Sequence, residues 1–149
     1  MTDKQILVLN RVLAVAKATT GIVFAGLYPD ALQQIGQQFP AVVVYDGNED
    51  APNYDTGQQV RYEYIVEVAL YHEVNGFKNR IQDVLSLQNK LVTAIITDLT
   101  LSGTVLAVLG HSVDKGYFQG SELADIGGYQ GEVSKRLIRF RLQIKDSRS

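Results

Sequence analysis

The sequence predicts an α+β domain: a mainly antiparallel sheet of about four strands with two helices packed on one face, in the order α-β-β-α-β-β. Three observations carry this expectation. Residues Gln59 to Val74 and Glu132 to Lys145 alternate apolar and polar side chains with a period of two, the mark of strands buried on one side. Residues 3 to 18 and 77 to 98 instead repeat apolar side chains at helical spacing. Strands and helices do not alternate regularly, so parallel crossover units are not expected.

Along the chain, the first helix spans residues 3 to 18. Thr2 and Gln5 have capping-box spacing, and Ile6, Leu9, Leu13 and Ala16 form a stripe widened by Val12. A short apolar piece, Ile22 to Ala25, and a weak helical turn around Ala31 to Gln37 follow. Ala41 to Tyr45 is β-branched and entered from Pro40, which predicts a strand. Asp46 to Gln58 holds four acids, two glycines and no base, and is expected to be a long solvated loop.

In Gln59 to Val74, residues Val60, Tyr62, Tyr64, Val66, Val68 and Leu70 share the apolar face, with Arg61, Glu63, Glu67 and Glu73 opposite. Asn75-Gly76 ends that strand. The second helix then carries Ile81, Val84, Leu85, Gln88, Leu91, Val92, Ile95 and Leu99 on the stripe expected to cover the sheet, with Leu85, Val92 and Ile95 over Val66, Val68 and Leu70. Thr104 to Val113 predicts a strand apolar on both faces. Lys115 to Gly131 is rich in glycine and predicts a second long loop. The closing strand sets Ile138, Phe140, Leu142 and Ile144 against Lys135, Arg139, Arg141 and Gln143.

The chain has 149 residues, the size of one domain spanning 1–149, and can bury roughly two thirds of its unfolded surface without staples. It has no cysteine, which excludes disulfides, thiolate metal sites and cysteine nucleophiles. A formal charge of −2 provides no general attraction to nucleic acid or anionic membrane. Asp3, and Arg11 within the apolar stretch from Ile6, argue against a secretory signal. Asn10, Arg11 and Lys17 break the stretch to Ala18 well below the roughly 20 residues that span a bilayer, so no membrane anchor is expected.

No catalytic signature is present, and no cofactor or metal is expected. The glycines between Gly116 and Gly131 fit neither phosphate-loop nor dinucleotide spacing. His111 and Ser112 are neighbours on a strand and point to opposite faces. His72 and His111 have no His or Cys at metal spacing and are expected to be rim or core residues. Glu63 and Glu67 lie about 13 Å apart by strand rise, too far to act on one bond. The tyrosines at 45, 54, 62, 64, 71, 117 and 129 are not interleaved with basic residues, which argues against a single-strand stacking platform.

Charge distribution is more informative. Residues 1 to 130 hold 8 bases and 14 acids, a charge of −6, whereas residues 131 to 149 hold 6 bases and 2 acids, a charge of +4. A head-to-tail subunit contact would use this split: Asp46, Glu49, Asp50 and Asp55 of one copy against Lys135, Arg136, Arg139 and Arg141 of the next, with Tyr117, Phe118 and Tyr129 as apolar contacts. Solvation of an edge strand against aggregation is the plainer use of the same bases.

The succession QILVLNRVLAVAKA, FPAVVVYD, an acidic connection, QVRYEYIVEVALYHE, a helix ending in LVTAIITDLTLSG and a closing EVSKRLIRFRLQIK resembles the small tail terminator and head-to-tail joining proteins of tailed bacteriophages. The resemblance covers nearly the whole chain as order, length and spacing. It implies a homo-hexameric ring in the virion, assembled in the host cytoplasm. The ring would cap the tail tube, ending its growth, and join it to the head connector and neck proteins. It implies no catalysis and no cofactor, no membrane, and nucleic acid only by passage through the ring lumen. The Lys115 to Gly131 segment is longer than expected of the simplest members, which keeps a head-side neck or connector protein, or a ring component of another tail-like machine, as the alternative. An unrelated small enzyme or ligand-binding module is the remaining class.

Overall fold

Strict alternation in the two striped segments produces the two longest strands, and they pair with each other over their whole length. The computed structural model describes residues 3–36, 38–49, 53–54, 59–74, 78–118 and 132–147. In chain order the elements are α1 (Asp3–Ala18), β1 (Phe24–Leu27), α2 (Asp30–Gln34), β2 (Ala41–Glu49), β3 (Asn53–Tyr54), β4 (Gln59–Val74), α3 (Lys78–Ser102), β5 (Ala107–Phe118) and β6 (Glu132–Ser147). The six-stranded sheet has the order β1-β2-β4-β6-β5, with β3 also on β4. Among the described residues, β1 and β2 pair in parallel and the other pairings are antiparallel. The class is α+β.

α1 and α3 cover one face. Val8, Leu9, Val12 and Ala16 of α1 and Leu87, Leu91, Val92, Ile95 and Leu99 of α3 meet the even-numbered side chains of β4, from Tyr62 to Leu70, together with Ile138 to Ile144 of β6. The helix stripes differ from the sequence expectation at Ile6, which is exposed while Val8 is buried, and at Leu85, which is 37% exposed while Leu87 is buried in its stead. Counted from Leu91, Leu87 lies one turn back on the same face, whereas Leu85 is rotated well away from it.

The opposite face holds a second, smaller core that the sequence pattern did not indicate. Ala31 and Ile35, from α2 and its end, pack with Phe39 over Ala41, Val43, Ala69, Tyr71 and Val133. β2 is therefore apolar on both faces, as a strand covered on both sides must be.

Two loop expectations are corrected. The Asp46–Gln58 connection is partly sheet: Asp46–Glu49 continue β2 through a bulge, and Asn53–Tyr54 pair with Arg61 and Val60. Backbone pairing along β4 outweighs the turn-forming composition. The third strand begins later than Thr104 and runs further than Val113, because Gly103 ends α3 at φ +69° and Ser102 and Thr104 join hydroxyls at 2.6 Å in the turn that follows. Lys115–Phe118 thus belong to β5, opposite Arg136 to Val133 of β6, not to a loop.

Candidate functional site

The outward face of β4, β6 and β5 carries a ladder of alternating charge. Arg139 lies opposite Glu67, with Nε 3.2 Å from its carboxylate, and also donates to Asp114 on β5. Arg141 donates from Nε to Glu63 at 2.6 Å. These pairs are exposed, so each contributes modestly. Together they neutralise the face locally, because Arg139 and Arg141 are each already paired with acids of the same sheet.

The hydrogen bond from Arg141 holds the Glu63 carboxyl below its ordinary value, and slight desolvation opposes this. A lowered folded pKa gives stability that is present above the ordinary carboxylate range and is lost as pH falls through the folded pKa. Thermal melts at pH 6 and pH 3 should therefore show acid destabilisation, and Glu63→Gln should reduce the difference between them.

Beyond the ladder, aromatic residues continue the same face. Tyr28 stacks on Tyr45 at 4.6 Å, the Tyr45 and Tyr71 hydroxyls are 3.5 Å apart, and Lys135 Nζ lies 5.8 Å from the Tyr71 ring centre. Burial lowers the Lys135 pKa and raises those of Tyr45 and Tyr71.

Arg136 does not join these cations, contrary to the expected basic outer face. It lies opposite Leu70, on the helix-covered side with Ile138, and is 5% exposed. Period two already separates it from Lys135, Arg139 and Arg141. Its Nε and Nη1 have no hydrogen-bond partner among the described residues.

Of the expected acids, Asp46 is exposed near the end of β2 and accepts a bond from the Tyr64 hydroxyl. Glu49 pairs with Tyr64 through the backbone, and Asp50 and Asp55 lie outside the described residues. Tyr117 and Phe118 stand opposite Ser134 and Val133, whereas Tyr129 lies outside the described residues. His72 is buried, with Nδ1 2.8 Å from the Glu73 carbonyl; the exposed His111 ring lies 6.1 Å from that of Phe140. No group of three or more His, Asp or Glu side chains among the described residues is placed to hold a metal.

Sequence reasoning missed a groove between the C-terminal halves of α1 and α3, with a volume of about 750 Å³. Arg11 bridges the two helices, donating to both carboxylate oxygens of Asp98 at 2.9 and 3.0 Å. The signal was present: each of these charges interrupts an otherwise apolar helical segment.

No protein-family model matches the chain, and no curated protein does. Among solved structures it is similar to a chain of the "Virion of native gene transfer agent (GTA) particle", at 13% identity, covering 95% of this chain and 94% of that one, with a TM-score of 0.43. At that score and identity the likeness carries no argument about function.

Proposed function

We propose that the chain is a structural virion protein of the tail terminator kind, forming a homo-hexameric ring at the head-proximal end of a phage tail. The observation that supports this most directly is the order of elements. An N-terminal helix, a proline-led strand, an acidic connection, a long striped strand, a long helix and a closing striped strand follow in the succession that resembles that family. The division into an acidic segment and a basic closing segment suits heterologous contacts, which close into rings when the rotation permits. On this reading the chain does no chemistry, and its partners are its own copies, the tail tube protein and the head connector.

Sedimentation and native mass measurement of the purified protein, alone and with tail tubes, test the reading. The expected species has six times the 16.5 kDa subunit mass and binds tube ends. A protein that stays monomeric under both conditions would reject it.

A further inference from the structure

We propose that the groove between α1 and α3 receives the acidic connection, residues 46–58, of a second copy. The inference rests on the ring reading and names its contact. The groove presents Arg11, Lys90 and Asp98, a net positive charge, beside the apolar side chains of Val15 and Leu101. Asp98 is engaged by Arg11, whereas Lys90 reaches, among the described residues, the Thr20 carbonyl at 3.5 Å. Leu101 is 81% exposed, an apolar side chain with little of its own molecule on it. The connection has matching chemistry, with Asp46, Glu49, Asp50 and Asp55, no base, and Ala51, Pro52 and Tyr54 among them.

Within one chain, Lys90 stands far from the β3 part of the connection. Tyr54 pairs with Val60, near the start of β4, and Gln5 at the start of α1 bonds Tyr62 there. α1 then leads away from that end: the chain after Thr20 enters β1, whose Phe24 pairs with Ala41, itself opposite Tyr71. Val60 and Tyr71 are about 36 Å apart at strand rise. Lys90, at Thr20, and Tyr54, at Val60, therefore lie toward opposite ends of β4, a separation that suits a contact between the two supplied by different copies. The basic face of β6 is the less available acceptor, because Arg139 and Arg141 already hold Glu67, Asp114 and Glu63.

The cysteine-free chain allows a direct test. A double variant, Lys90→Cys with Asp50→Cys, should give a ladder of disulfide-linked multimers on oxidation, while either single variant stops at dimers. Lys90→Glu should weaken assembly about tenfold at low salt and less at high salt, and adding Asp50→Lys should restore it. Circular dichroism of each variant confirms folding independently. A hexamer of normal mass with no ladder and no effect of charge reversal would overturn the groove contact while leaving the ring reading intact. A wild-type chain that never assembles would overturn both.

Discussion

Replacing Phe140 with Ala should lower stability by about 3 to 5 kcal/mol, the largest loss expected from any single truncation in this chain. Phe140 is fully buried on β6, opposite Val66 of β4 and His111 of β5, and belongs to the cluster covered by both long helices. Its neighbours are strands paired on either side, so the backbone has little freedom to collapse into the space left behind. Leu85→Ala is the control: at 37% exposure it should cost less than about 1 kcal/mol. Denaturant unfolding should show a lowered midpoint for the first and a nearly unchanged one for the second, with the slope preserved in both. Equal losses would mean that α3 is rotated about its axis relative to the sheet.

The second large effect should come from Gly47→Ala, with a loss of about 1 to 3 kcal/mol. Gly47 sits in the bulge where pairing passes from Asp46↔Val66 to Glu49↔Tyr64. A Cβ there would lie 2.2 Å from the Ile65 carbonyl oxygen and 3.0 Å from its carbon, both backbone atoms of the central sheet. No rotamer change relieves such a clash; β2 must lift away from β4. Equilibrium unfolding checks the size of the loss, and hydrogen exchange at Val44 to Asp46 should rise with it. Unchanged stability and exchange would mean that β2 does not approach β4 closely at this point.

The legible parts of the fold were those in which one periodicity dominates. The alternation from Tyr62 to Leu70 and from Ile138 to Ile144 placed β4 and β6 and identified their buried face. The stripe of Ile6, Leu9, Leu13 and Ala16, widened by Val12, placed α1, although Ile6 is exposed and Leu13 only partly buried. The second core was hidden because its members are scattered among short pieces: Ala31, Ile35 and Phe39 have no period of their own and acquire meaning only over Ala41 and Val43. The strand portions of 46–58 were hidden for a different reason. Asp, Gly and Asn favour turns locally, but Asn53 and Tyr54 are held by backbone pairing to the start of the next strand, which composition does not report.

At the candidate interface, the sequence located the charges but not their partners. Arg139 and Arg141 were legible as outward cations, and so were Glu63 and Glu67. That they answer one another within one sheet depends on the β4–β6 register, which no local pattern encodes. The placement of Arg136 could have been found, because strict alternation assigns it to the face of Ile138.

The β4–β6 pairing also has a consequence for how the chain is made. Val74 pairs with Glu132 and Gln59 with Ser147, so the centre of the sheet joins segments separated by most of the second half of the sequence. On a ribosome adding roughly 5 to 20 residues per second, β4 emerges several seconds before β6, with only β2 and β3 available to pair on its other side. During that interval its second edge is an open template for other nascent chains. The glutamates at 63, 67 and 73 along this strand then act before Arg139 and Arg141 are present to meet them, as like charges that keep two unfinished copies from pairing edge to edge.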